Sequence, residues 1–391
     1  MENYERKEIN ALAQLLHYCE SKKIVGYDPY DALNSPIIRS LSFGQKYGRI
    51  AWIQFMRRCP LNLRPLLFVK KGHNPKGLGL FLGGYAKLYK LDPRREYLAH
   101  IRTLLTLLDQ NRSQGCSGNA WGYNFDWQSR AFLAPKGTPT IVNSAFIGHA
   151  LLDTYELTGE QSALDLAVPI KDFLLNDLHR TNEGDTFCFS YTPNDKTIVH
   201  NANLFGASLL IRLYQITGDS ELRDIALASL AYSMNRQRDD GSWYYADTAM
   251  QSWIDSFHTG FNLESIRWFL NLGEGEEYRH AYDRGVRYYA DHFFLDDGTP
   301  KYYHDRVYPI DIHCPAEAVF FFSGENDAYC ELTDRILHWM LENMQDKKKG
   351  YFYFRKGPYM TNKVPYMRWS QAWAFRALTE YQFRRNQGVA G

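Results

Sequence analysis

Four turns in the chain repeat one chemical pattern: ELTGEQSA, QITGDSEL, NLGEGEEY and FSGENDAY, centred on Gly159, Gly218, Gly273 and Gly324. Each follows an apolar helical run and precedes acidic or small polar residues and a second helical run. Glycine just past a helix takes the left-handed backbone without a Cβ clash, and Asp, Glu or Ser then caps the next helix. A fifth version, YKLDPRREY, offers Asp92 and Pro93 as a cap and first-turn pair. The turns recur about every 50 to 60 residues, which marks a tandem architecture with an αα-hairpin as its unit.

The two helices of a hairpin differ. In ANLFGASLLIRLYQITGD apolar residues surround most of the helix, whereas in SELRDIALASLAYSMNRQ Leu222, Ile225, Ala226 and Leu230 form one stripe. A helix apolar all round is buried, so an inner ring inside an outer ring is expected. Pro169, within ALDLAVPIKDFLLND, should bend its outer helix. Inner helices are expected to begin near residues 78, 145, 203, 260, 315 and 369, with five outer partners following them. The amphipathic segment YERKEINALAQLLHYCE, residues 4–20, supplies the sixth and closes the ring against a C-terminal helix over 369–385. The predicted fold is therefore all-α: an (α/α)6 toroid of six helical hairpins with aromatic loops at one end, spanning residues 1–391 as a single domain. Residues 21–77 are the least regular and should form a long loop with short helices. The tail RRNQGVAG is expected to be disordered.

Six αα-hairpins, Gly-acidic turns within each and aromatic loops between them resemble the six-hairpin glycosidase superfamily. That group includes unsaturated glucuronyl hydrolases, N-acylglucosamine 2-epimerases and toroidal polysaccharide lyases. The stretches WIDSFHTGFNLE and GYDPYDALNSP are most similar to glucuronyl-epimerase-like or cyclase-like proteins of bacterial surface polysaccharide biosynthesis. The resemblance covers nearly the whole chain and implies a carbohydrate-active enzyme.

Long connections run from each outer helix to the next inner helix, so they emerge at one end of the ring and carry the unusual residues. At the inner-helix starts stand GHNPKG, TPTIVNS, VHNANLFG, FHTGFNLE, DIHCPAEA and YMRWSQAW. These would gather His73, Asn143, His200, Asn201, Asn203, His258, Glu264, His313, Arg368 and Trp369 about one funnel, into which helix N-termini also point. The other half of each loop is aromatic: WGYNFDWQSR, FCFSY, WYYAD, YYHD and YFYFR. Trp121, Tyr123, Trp127, Trp243, Tyr245 and Tyr353, with Arg130, are accordingly read as a saccharide-binding rim, because aromatic faces stack on sugar rings.

Several of these residues have a structural role open to them as well. Asn143, Asn201 and Asn203 suit helix capping as well as ligand binding. Asp126, between Phe125 and Trp127, would be a general acid, or else an Asp turn or partner of Arg130. Asp255 stands three residues before His258 and either orients that imidazole or caps the helix. Glu264 is catalytic or paired with an Arg such as Arg368. His304, Asp305, Asp311 and His313 fall within ten residues, but the spacing matches no established metal site, so no metal is assigned. No P-loop, dinucleotide fingerprint or nucleophile elbow is present, and no cofactor is expected.

A balance of 45 basic against 44 acidic residues gives no electrostatic case for nucleic acid or an anionic membrane as partner. No run approaches a membrane span, MENYERKEIN lacks the apolar core of a signal peptide, and the six cysteines show no disulfide or zinc spacing. A cytoplasmic protein with an oligosaccharide or polysaccharide-derived substrate is expected. Glycoside hydrolysis by Asp126, Asp255, His258 and Glu264 is the leading chemistry. Uronate elimination or C5-epimerisation, with His258, Tyr245 and Arg368, is the alternative. A non-catalytic carbohydrate-binding protein and a terpenoid-type toroid are the others.

Overall fold

The computed structural model describes residues 2–130 and 132–388, so the last residues of the expected tail lie outside the described part. In chain order the first helices are α1 (Glu2–Ser21), α2 (Pro36–Leu41), α3 (Lys46–Arg58), α4 (Pro75–Leu91), α5 (Arg95–Gln110), α6 (Ile141–Thr158), α7 (Gln161–Ala167) and α8 (Ile170–Asn176). There follow α9 (His200–Thr217), α10 (Ser220–Met234), α11 (Ser256–Asn271), α12 (Arg279–Phe293), α13 (His313–Ser323), α14 (Cys330–Met344) and α15 (Trp373–Gly388). A wide π-helical turn over Met367–Ala372 leads into α15.

Helices α4, α6, α9, α11, α13 and α15 form the inner ring, each packed on the next and α15 on α4. Outside them lie α5, the pair α7 and α8, α10, α12, α14 and α1. The chain therefore has the (α/α)6 toroid fold. Helices α4, α6, α9 and α11 start three or four residues before the expected positions, whereas α15 starts at Trp373, because the π-helical turn takes up residue 369. Asn74, Thr140 and Asp255 accept the N–H groups of Lys76, Asn143 and His258 as caps.

The turn glycines serve two purposes. Gly159 and Gly218 end their helices at φ +74° and +71° and donate their N–H to Tyr155 and Tyr214. Gly324, at φ −96°, is not left-handed; a Cβ there would lie 3.0 Å from the Arg267 guanidinium, so space is what glycine supplies. Asp92 does not cap α5; it ends α4 and pairs with Arg94 at 2.6 Å, while Arg94 stands at the start of α5. Pro169 splits its outer helix into α7 and α8, and its carbonyl accepts from Asn119 N–H at 3.2 Å.

Short antiparallel strands, absent from the helical reading, stiffen the loops: Trp127–Gln128 with Leu133–Ala134, Arg180–Glu183 with Thr186–Phe189, and Ile310–Asp311 with Arg355–Lys356 and Thr361–Asn362. One apolar core runs through the ring. Residues 22–72 form a lobe with a small core of its own, Ala32, Leu33, Ile38, Ile53 and Met56. The lobe rests on the loop end. There Asn34 Nδ2 donates to Asn124 O at 3.3 Å, Arg49 Nε to Gln128 Oε1 at 2.9 Å, and Arg39 pairs with Asp126 at 3.1 Å.

Candidate active site

The aromatic loops are pinned by a repeated device. An inner-helix side chain accepts the backbone N–H of an incoming aromatic residue: Ser144 from Trp121 at 3.0 Å, Asn203 from Phe189 at 2.8 Å, Gln371 from Phe352 at 2.8 Å. Two residues further on, a carbonyl accepts from the start of the neighbouring inner helix: Tyr191 from Ile141, Tyr245 from His200, Tyr302 from Ser256 and Phe354 from Ile312, all at 2.9–3.2 Å. Alternate residues of an extended segment point opposite ways. Trp121, Phe189, Trp243 and Phe352 are therefore core pegs, and Tyr123, Tyr245 and Tyr302 form a half-buried collar. Trp121 and Trp243 were expected on the rim. Both are buried, donating Nε1–H to Leu108 O and Ser233 O.

Beneath the collar lies a polar chamber. Asp255 Oδ1 caps α11 through His258 N–H at 3.1 Å, while Oδ2 lies 2.7 Å from His258 Nδ1 and accepts Trp253 Nε1–H at 2.9 Å. Asp255 thus takes both roles open to it, cap and orienter, and with Nδ1 engaged His258 keeps Nε2 for the chamber. Tyr245 and Phe257 flank His258 at 4.6 and 4.4 Å between ring centres. The cleft bordered by Asn201, Tyr245, His258 and Asn262 holds about 10 Å³, room for about one water, so the collar must part to admit a sugar ring.

Buried groups without a partner recur near the starts of the inner helices at this end: both amide atoms of Asn143, Oδ1 of Asn201 and of Asn262, both ring nitrogens of His313 and Nε1 of Trp373. Such atoms cost stability unless a ligand or water meets them. Asn143 is not a cap, since Thr140 fills that role. His313 is wedged against Trp369 and Trp373 at 4.1 and 4.5 Å; burial, then the charges of Lys76 and Arg368, pushes its pKa well below the usual imidazole value. Lys76, on α4 opposite α11 in the ring, holds Nζ 3.8 Å from the Phe146 ring centre. Burial and then Arg368 and Arg376 push its pKa well down. Lys76 escaped the sequence reading, although a lysine directly before the apolar run GLGLFLGGYA of an all-buried helix was a visible signal.

Phe146, Phe205, Phe261 and Trp373 close the axis below, with Phe146 4.3 Å from Phe205 and 5.2 Å from Phe261, and Phe261 5.3 Å from Trp373. Under this plug, at the end of the short turns, a second chamber of about 180 Å³ is lined by Lys87, His149, Glu264, Arg376 and Glu380 among others. Arg376 bonds Glu264 and, at 2.9 Å, Glu317; Lys87 pairs with Glu380 at 2.6 Å; Arg212 pairs with Asp153 and Glu156 at 2.8 and 2.9 Å. Glu264 therefore pairs with Arg376 and not Arg368, because eight residues into α11 it lies about 12 Å along the axis, beyond Phe261. Arg368 is held by Asp28 at 2.6 and 2.8 Å.

The remaining residues are spread out. Asp126 stands at the edge of the loop end, paired with Arg39 and accepting Lys136 N–H at 2.8 Å, while Arg130 is exposed. Trp127 packs edge-on to Tyr123 and Phe132. His200 faces outward to Asp247 at 2.9 Å and Ser233 at 3.3 Å, and Asn203 is spent on Phe189, Ser229 and Ser233. His73 meets Lys23 O at 3.0 Å, and Tyr353 lies by Tyr351 and Lys363, off the chamber. Asp311 is occupied by Arg355 and Trp369 Nε1–H. Among the described residues no group of three or more His, Cys, Asp or Glu is gathered as a metal site requires.

Solved structures share this ring. A cellobiose 2-epimerase from Bacillus thermoamylovorans is 14% identical with a TM-score of 0.62, over 80% of this chain and 88% of that one. An α-mannanase of glycoside hydrolase family 76 from Bacteroides thetaiotaomicron is also 14% identical with a TM-score of 0.62, over 80% and 87%. A glycosyl hydrolase family 88 protein from Bacteroides vulgatus is 12% identical with a TM-score of 0.56, over 84% and 96%. At such identities the likeness is one of fold. No protein-family model matches the chain, and no curated protein matches it in sequence.

Proposed function

We propose that the chain is a carbohydrate-processing enzyme that takes a proton from a saccharide carbon, with His258 as its acid–base group: an epimerase, which returns a proton to that carbon, or a lyase, which instead expels and protonates the neighbouring leaving oxygen as the double bond forms. The observation that carries this reading is the Asp255–His258 pair at 2.7 Å, whose free Nε2 belongs to a chamber of unpartnered amides and a neutral imidazole. Lys76, its pKa pushed down by burial, stands on the opposite inner helix and suits the second proton carrier that epimerisation needs. Tyr123, Tyr245 and Trp369 offer faces for sugar rings, and Asn143, Asn201 and His313 offer hydrogen bonds. Arg368 is neutralised by Asp28, so a carbonyl-activated carbon fits better than a uronate bound through that guanidinium. The fold is shared by a protein named as a cellobiose 2-epimerase. Six free thiols support a cytoplasmic setting.

Glycoside hydrolysis is the second reading, favoured by the fold's glycosidase examples and by Glu264 and Glu317 on one arginine. Burial, offset only in part by Arg376, pushes the Glu317 carboxyl well above the usual range, as a general acid requires. That pair lies under the aromatic plug. Reducing disaccharides and uronate-containing oligosaccharides incubated in D2O distinguish the chemistries. Either of two outcomes is expected, lost in His258→Gln: deuterium on carbon with the glycosidic bond intact, from epimerisation, or a new ultraviolet-absorbing C=C bond without carbon-bound deuterium, from elimination. New reducing ends with neither deuterium on carbon nor a new double bond would establish hydrolysis instead.

A further inference from the structure

The chain's net charge of +1 conceals a segregation. Residues 22–72 carry ten Lys and Arg against two Asp, a balance of +8, leaving −7 for the other 340 residues. Both aspartates are spent inside, Asp28 on Arg368 and Asp31 on Arg64, so the lobe presents no carboxylate of its own. Basic residues such as Lys46, Arg58, Lys70 and Lys71 are exposed.

The same lobe is apolar on its outside. On α3, Ile53 and Met56 enter the small core, yet Tyr47 and Phe55 form an exposed stripe on another face. On α2, Ile38 is buried while Ile37 and Leu41, four apart, are exposed. Phe43, between the two helices, and Phe68, near the return to the ring, are 80% and 65% exposed. Both sit in the left-handed region, at φ +50° and +54°, an uncommon state for a phenylalanine whose side chain gains no packing from it. Among the described residues, eight of the seventeen exposed large apolar side chains fall within residues 37–68. The apolar exterior is therefore concentrated on the lobe, the other nine being spread over the rest of the described chain.

We propose that this lobe docks the protein on the surface of an anionic phospholipid bilayer. Lysine and arginine meet the phosphate headgroups, and Phe43, Phe68 and the stripes of α2 and α3 enter the acyl boundary. The attachment is peripheral, because no described helix is long and apolar enough to cross a membrane. A symmetric contact with a second copy is disfavoured, since it would bring together two segments of net charge +8 with no carboxylate from either lobe between them. Since Asn34, Arg39 and Arg49 tie the lobe to residues 124–128, docking also holds the rim of the upper chamber at the membrane.

Sedimentation of the full chain with phosphatidylcholine vesicles, with and without phosphatidylglycerol, tests this. Binding is expected only to vesicles with phosphatidylglycerol, and it should weaken as salt rises. Phe43→Asn with Phe68→Asn keeps residues that tolerate the left-handed backbone, and Lys70→Glu with Lys71→Glu alters exposed charges; each pair should weaken binding about tenfold or more, with unchanged circular dichroism. Failure to sediment, equal binding to both vesicles, or wild-type binding by both pairs would overturn the proposal. So would self-association without vesicle binding that the Phe43→Asn, Phe68→Asn pair abolishes, which would assign the face to a second copy.

Discussion

The two chambers on the ring axis are separated by one layer of aromatic side chains and differ in the charge of their polar groups. Below the plug, charges meet charges: Arg376 with Glu264 and Glu317, Lys87 with Glu380, Arg212 with Asp153 and Glu156, with one oxygen each of Glu264 and Glu317 left without a partner. Above it, the amides of Asn143, Asn201 and Asn262 and the imidazole of His313 keep polar atoms with no partner and stand in no ion pair. Ion pairs below hold the inner helices together; open neutral groups above have capacity for a ligand. The contrast teaches that neither the count of buried polar residues nor their open atoms alone locate a site on this fold, since both chambers have them. What sets the upper chamber apart is that its open groups are not held in ion pairs.

The largest expected effects set the two chambers apart directly. His258→Gln should lower turnover by roughly 100- to 10,000-fold, the range of a lost acid–base group, with little change in thermal stability. Steady-state rates beside a calorimetric melt measure both. Arg376→Met in the lower chamber should do the reverse at first order, costing about 3–5 kcal/mol of stability because two carboxylates lose their shared counter-ion. Urea unfolding reads that loss. If Arg376→Met unfolds no more easily than wild type, the lower chamber is not the ionic brace its geometry describes.

Acid should discriminate them next. Burial alone would raise the Glu380 carboxyl, but the charges of Lys87 and Arg384 outweigh burial and hold it at about 2, below the ordinary 4.5. A carboxyl depressed in the folded state contributes stability that is fully present above 4.5 and is lost as pH falls toward 2. The depression corresponds to roughly 3 kcal/mol. Glu380→Gln should be the less stable protein at neutral pH and converge on wild type near pH 2, which denaturant titrations at several pH values would follow. Parallel curves for the two proteins would remove Glu380 from the brace.

Legibility in the sequence followed the range of each interaction. Hairpins, ring and turn glycines were readable because capping and helical periodicity act within a few residues, as Gly159 and Gly218 display. Asp255 beside His258 was readable for the same reason, being one helical turn apart. Partners distant in the chain were not. Nothing local says that Asp28 meets Arg368, 340 positions away, or that Glu264 meets Arg376 and not Arg368 two turns earlier. The aromatic loops misled for a different reason. Their i, i+2 alternation sends Trp121 and Trp243 to the core and Tyr123 and Tyr245 to the collar, and a composition of aromatics cannot tell the two sets apart.

The smallest expected effect is the most discriminating, because it has the opposite sign from ordinary core substitutions. Asn143 is fully buried on α6, and neither its Oδ1 nor its Nδ2 has a partner. A buried amide of this kind contributes a desolvation cost without a compensating bond, so Asn143→Leu, similar in volume and apolar, should raise stability by about 1 kcal/mol. The same substitution in a packed core position normally lowers it. If Asn143 holds the saccharide, as proposed, substrate affinity should fall alongside, appearing as a higher KM with turnover less affected. Asn203→Leu serves as the control, because that amide is satisfied by Phe189 N–H and Ser229 O, and its loss should destabilise. If Asn143→Leu destabilises as Asn203→Leu does, the open groups of the upper chamber are structural after all, and the distinction between the chambers collapses.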